Sequence, residues 1–105
     1  MNEDQAADLF GVLSNADRLR VIRALVEAGP DGLSAGDIAQ KIGASPSRAS
    51  FHLSSLSDAG FALSEKRARQ MIYRVNFEHI GALISFLMED CCKGSVKLRA
   101  CCGFA

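Results

Sequence analysis

The chain has 105 residues, 49% of them hydrophobic, with 12 Lys and Arg against 12 Asp and Glu. That length supports one domain with its own core and not two. No apolar run of about 18 residues is present to span a membrane, and the acidic start Met1-Asn2-Glu3-Asp4 is unlike the basic start of a secretory signal, so the expected location is the cytoplasm. The absence of a CxxC, a nucleophile–base motif and a phosphate loop speaks against an enzyme.

Zero net charge conceals a segregation. Residues 1–40 carry three Arg against seven Asp and Glu, residues 41–74 carry six basic side chains against two acidic ones, and residues 75–105 carry three of each. The middle of the chain is therefore a basic stripe, which is what contact with phosphates requires whatever the total charge.

In chain order, the spacing of Ala6, Ala7, Leu9, Phe10, Val12 and Leu13 predicts a first helix over about residues 4–13. Asn15 caps a second, in which Leu19, Ile22, Leu25 and Val26 line one face and Arg18, Arg20 and Arg23 mostly the others, stopping at the breaker Gly29-Pro30-Asp31-Gly32. Ser34 caps a third, with Asp37 as a carboxylate variant of the capping box, running through Ile38, Ala39 and Ile42 to Gly43-Ala44. The fourth is the most sharply bounded: Ser45 is its N-cap, Pro46 its first residue, and Gly60 the left-handed residue that closes it.

Within that fourth helix Ala49, Leu53 and Leu56 make one apolar stripe, and Ser47, Arg48, Ser50, Ser54 and Ser55 fall largely elsewhere. Serine is a mediocre helix former, so a serine face with one arginine is an odd face to offer to water. Small hydroxyl side chains do allow close approach to a major groove, where an arginine can read guanine or hold a phosphate. Taken alone the stretch fits a low-charge surface helix as well. Its place as the second of two short helices joined by Gly43-Ala44-Ser45 makes a helix-turn-helix.

Residues 61–66 and 71–75 then alternate in part around Arg67-Ala68-Arg69-Gln70, which predicts a two-stranded hairpin wing with a basic tip, placed to touch phosphates or the minor groove. A winged helix used only to bind protein would have no reason to carry that basic tip. From Asn76 or Phe77 a last helix runs to about Cys92, with Ile80, Leu83, Ile84, Leu87 and Met88 as its stripe. Three inner helices already close a core of this size, so the apolar first and last helices are expected to pair with their copies in a homodimer, as two-fold operator recognition also needs. The expected fold class is mainly α (α+β), a winged helix-turn-helix of about five helices and a two-stranded wing. Residues 1–92 form the DNA-binding and dimerisation domain and residues 93–105 a cysteine-containing tail.

The residues assigned to double-stranded DNA are Ser45, Ser47, Arg48, Ser50 and His52 on the fourth helix and Lys66, Arg67 and Arg69 on the wing. His52, within a DNA-facing helix, is read as a phosphate or backbone hydrogen-bonder, and neither it nor His79 as a metal ligand. Phe51 and Tyr73 are read as packing residues, because an intact duplex splays out no bases for them to stack on.

The pattern closely resembles the ArsR/SmtB-type family of bacterial winged-helix metal sensors over almost all of residues 5–90. Asp17-Arg18-Leu19-Arg20 with Ile22 and Leu25 is similar to the start of that family's second helix, and Leu33-Ser34 with Asp37-Ile38-Ala39 to its third. Ser45, Ser47, Ser50, His52-Leu53, Leu56, Ala59-Gly60 and Tyr73 are similar to its recognition helix and wing. The resemblance implies a dimeric repressor that leaves its operator when an inducer binds. It departs from the pattern at Leu33-Ser34-Ala35-Gly36-Asp37, which lacks the thiols of third-helix arsenite sites, and at His79, which has no second histidine after it to make the zinc set. Glu89-Asp90-Cys91-Cys92-Lys93-Gly94 instead resembles the branch whose thiols end the last helix, with Cys101-Cys102 in the place of its downstream cysteine.

All four cysteines, Cys91, Cys92, Cys101 and Cys102, lie in the last fifteen residues. Cys91 continues the apolar stripe and could be a small hydrophobe at a dimer seam, with the second pair incidental. Packing preference does not account for that concentration, and Lys93, Lys97 and Arg99 favour the thiolate forms that a soft metalloid binds. The expected inducer is As(III) or Sb(III) on three thiolates, with no organic cofactor. A four-thiolate zinc or cadmium site and a thiol redox switch are the alternatives.

Overall fold

A computed structural model of the chain describes residues 1–91. Its helices are α1 (Glu3–Leu13), α2 (Ala16–Ala28), α3 (Ala35–Ile42), α4 (Pro46–Asp58) and α5 (Phe77–Ser85), and its strands β1 (Leu33–Ser34), β2 (Ala62–Arg67) and β3 (Gln70–Val75). Every one of the helices starts on a polar side chain that satisfies an orphan N–H of its first turn: Asn2, Asn15, Ser34, Ser45 and Asn76 accept from the backbone of Gln5, Arg18, Asp37, Arg48 and His79. Each such cap stabilises by about 1 kcal/mol, which is why the helix starts could be read from the sequence.

α2 lies at the centre, packed against α1, α3, α4 and β3. Val21 and Leu25 of α2, Ile38 of α3, Leu53 and Leu56 of α4, and Phe61 and Leu83 are fully buried together. Two residues expected in the α2 stripe are not part of it: Leu19 and Val26 are 47% and 46% exposed. With neighbours on several sides, the buried face of α2 is centred on Val21, Ala24 and Leu25 instead.

The expected two-stranded hairpin wing is present as β2 and β3, and the two-residue β1 adds to its edge to make a three-stranded antiparallel sheet in the order β1-β3-β2. β1 adds Leu33 opposite Tyr73 and Ser34 opposite Ile72. Gly32 permits this approach: it has φ +69°, and a Cβ there would lie 2.5 Å from the Tyr73 carbonyl oxygen. β2 and β3 stay paired out to Arg67 opposite Gln70, so the tip is the two-residue turn Ala68-Arg69. Ala68 takes φ +55°, the positive value that tight hairpin turns demand.

The last helix also departs from expectation. α5 is regular only to Ser85 and continues as a π-helical segment, Phe86–Cys91, which shifts the register of its apolar stripe. Leu83, expected at a subunit seam, is instead buried in the chain's own core at 2% exposure, with Phe86 and Met88 also buried. Leu87 is 45% exposed and Phe10 of α1 39%. Leu83→Ala should therefore lower unfolding free energy by about 2–5 kcal/mol in a urea titration, the range for a buried leucine whose cavity only partly collapses. Leu87→Ser should leave the far-ultraviolet circular dichroism of the fold unchanged.

Candidate nucleic-acid interface

α4 buries Ala49, His52, Leu53 and Leu56 and turns the rest of its surface outward. Ser47, Arg48 and Ser50 are exposed, as expected for a contact face. Ser45 is exposed too, but its Oγ accepts the Arg48 N–H at 3.2 Å, so its first task is to cap the helix. On the wing Lys66, Arg67 and Arg69 are all exposed. Arg67 pairs with Glu65 and donates to the Asp31 carbonyl at 3.5 Å, which steadies it beside the turn that precedes β1.

His52 does not face outward. It is 7% exposed, and its ring fills the α2–α4 junction, where its Nδ1 accepts from Arg18 Nε at 3.3 Å and its Nε2 lies 3.5 Å from Asp17 Oδ2. The α4 period explains the placement: His52 is adjacent to Leu53 and one turn before Leu56, on the buried side. Arg18 continues the network by donating to the Val12 carbonyl at 3.1 Å and to Ser55 Oγ at 3.3 Å, tying the end of α1, the start of α2 and the middle of α4.

Asp17 is the second centre of the junction. Its carboxylate is 16% exposed and takes Arg20 at 2.9 Å on one oxygen and Arg48 on the other. The hydrogen bond from Arg48, followed by the charges of Arg48 and Arg20 and the bond from Arg20, holds its carboxyl below the usual carboxylate range against the opposing effect of partial burial. Arg48 in the free protein is thus held by an acidic partner at the edge of the contact face. Sequence reading missed this role of Asp17 and Arg18. The available signal was a carboxylate and a guanidinium side by side in the first turn of α2.

Phe51, expected to be a packing residue, is 63% exposed on α4. Tyr73 does pack against the core. His79 lies edge-on to Phe61 with ring centroids 4.9 Å apart, and its Nε2 is buried without a hydrogen-bond partner among the described residues. Among those residues no group of three His, Cys, Asp or Glu side chains is placed to hold a metal ion. Cys91 ends the π-helical segment, while Cys92, Cys101 and Cys102 lie outside the described residues.

The junction can be tested at both of its acceptors. His52→Ala should destabilise the fold by about 1–3 kcal/mol, the penalty for leaving Arg18 Nε without its acceptor, measurable by chemical denaturation in the absence of any DNA. Asp17, with a depressed folded-state value, contributes stability that is present above the ordinary carboxylate range and lost as pH falls through the depressed value. Thermal melts between about pH 7 and about pH 3 should show Asp17→Asn less stable than wild type at the neutral end, with the difference closing in acid.

Comparison with known proteins agrees with this architecture. The family described as "Helix-turn-helix domain" matches residues 13–65, from the end of α1 into β2. The HTH-type transcriptional regulator YgaV of Escherichia coli is 33% identical over 89 residues, covering 85% of this chain and 88% of the relative. Among solved structures, a predicted DNA-binding transcriptional regulator from E. coli superposes with a TM-score of 0.66 at 33% identity, covering 80% of this chain and 86% of that one. The AntR antimony-specific transcriptional repressor superposes at 0.62 with 29% identity, covering 73% and 68%. No helix among the described residues is long and apolar enough to cross a membrane. With its capped helix-turn-helix, its basic wing and these relatives, the chain belongs to the helix-turn-helix family of transcriptional regulators and is a DNA-binding winged-helix protein.

Proposed function

We propose that the protein is a repressor that holds operator DNA as a homodimer and releases it when As(III) or Sb(III) is bound by thiolates of its C-terminal cysteines. The observation that carries the DNA reading is the outward face of α4, with Ser47, Arg48 and Ser50, set beside the exposed cations Lys66, Arg67 and Arg69 of the wing. α4 fits a major groove and reads base edges, while the wing holds phosphates. Exposed Phe10 on α1 and Leu87 beyond α5 supply apolar surface for a second copy, which two-fold recognition of an operator requires.

The inducer reading rests on chemistry and on likeness. Four thiols close together in sequence suit a soft, three-coordinate metalloid, whereas zinc takes a fourth ligand. The similarity to an antimony-specific repressor points the same way. Cys91 and Cys92 are both required in this scheme, and Cys101 and Cys102 partly replace each other. Metalloid binding favours a dimer arrangement whose two α4 helices no longer match the operator spacing.

Band shifts with the protein's own upstream DNA test both parts. Arg48→Ala should weaken the operator preferentially. The Arg67→Ala/Arg69→Ala double variant should weaken all duplexes alike and flatten the salt dependence by roughly 0.9 in log–log slope for each phosphate no longer neutralised. Under reducing conditions arsenite or antimonite should release wild type, while Cys91→Ser and Cys92→Ser stay bound. Release of every cysteine variant as readily as wild type, or release by oxidant alone, would replace the metalloid reading with a redox one.

A further inference from the structure

Phe51 has no role in the core and an unusual position. At 63% exposure it is the most exposed of the large apolar side chains in the described chain, yet it sits on α4, whose outer surface is otherwise polar. Ser47 lies one turn before it, and Ser54 and Ser55 one turn after. Ser47 belongs to the face already assigned to the major groove and Ser54 is exposed beside it, while Ser55 turns toward α2 and accepts from Arg18. Nothing about solvent exposure favours a phenyl ring there, since leaving one in water forgoes the gain of burial that an aromatic side chain offers.

The ring is also held from behind. The Arg18 guanidinium carbon lies 5.8 Å from the Phe51 centroid, within cation–π range, and that guanidinium is itself fixed by its bonds to Val12, His52 and Ser55. The His52 ring adds an edge contact at 5.6 Å between centroids. A side chain braced on a half-buried network loses little rotamer freedom on binding, and the short serines on either side let its edge reach the floor of a groove.

The one strongly apolar group that a major groove displays is the 5-methyl of thymine, and phenylalanine is among the side chains suited to meet it. We infer that Phe51 is a specificity-determining residue that contacts a thymine 5-methyl group in each operator half-site. This rests on the DNA-binding reading above and deepens it: Arg48 and the serines position and hydrogen-bond, and Phe51 supplies apolar discrimination between thymine and the other bases. The contact is non-covalent and needs no other group.

The test uses the full chain and duplexes recovered by binding-site selection from a random library. In the recovered site, each thymine is replaced in turn by deoxyuridine, which deletes the methyl group and leaves the pairing intact. Fluorescence anisotropy should show wild type losing about fourfold in affinity at one thymine per half-site, the loss set by transfer of a single methyl group. Phe51→Ala should bind the thymine and uracil duplexes equally, and Phe51→Leu should keep part of the preference. Because the side chain is exposed, the alanine variant should melt with wild type, which separates an effect on DNA contact from an effect on the fold. If no thymine in the selected site is sensitive to removal of its methyl, or if Phe51→Ala remains as sensitive as wild type, the assignment to Phe51 is overturned while the DNA-binding reading stands. If wild type recovers no preferred duplex at all, both fall.

Discussion

The junction where Arg18 and Asp17 of α2 meet His52 and Arg48 of α4 is the contact on which the interface depends. A recognition helix must be fixed on one side and bare on the other, and apolar packing through Ala49, Leu53 and Leu56 fixes only its distance from the core. Dispersion and hydrophobic burial are non-directional. Hydrogen bonds at 3.1–3.3 Å from one guanidinium to Val12, His52 and Ser55 add the direction, setting the rotation of α4 about its axis and therefore which residues face out.

Segregation of charge along the sequence lets a chain with no net charge present a cationic surface, and the junction tempers that surface at one point. The acidic side chains are concentrated before residue 41, and one of them, Asp17, is brought against Arg48. With Arg48 largely exposed and Asp17 mostly covered, this ion pair contributes modestly to stability. Its consequence is for binding: a phosphate or base that engages Arg48 must compete with a carboxylate, which costs affinity for any duplex and leaves a net gain only where the other contacts fit. The wing has a more exposed pair of the same kind in Arg67 and Glu65.

The sheet and the last helix show how tertiary packing decides what local pattern leaves open. β1 is two residues long and would be invisible to any periodicity, yet it ties the start of α3 to the wing through the close passage of Gly32 over Tyr73. The stripe Ile80, Leu83, Ile84 and Leu87 reads as one face of a regular helix, but the π-helical segment after Ser85 rotates the later residues out of that register, so Leu87 is exposed and does not follow Leu83 into the core. An assembly surface read from that stripe is therefore smaller than the pattern suggests.

By itself the sequence determined where the helices begin, because capping is chemistry within four residues: Asn15, Ser34, Ser45 and Asn76 each reach a backbone N–H three positions on. It also determined the helix-turn-helix, the basic turn and the inward stripe Ala49, Leu53 and Leu56, each set by spacing within one element. It could not decide the fate of side chains next to a stripe, since His52 and Phe51 are neighbours on α4 and a rotation of about 100° per residue separates buried from exposed. Arg18 and Asp17, more than thirty positions earlier in the chain, settled that choice by drawing His52 in and leaving Phe51 out. A contact made across such a separation leaves no period in the sequence, and only the folded arrangement of α2 against α4 reveals it.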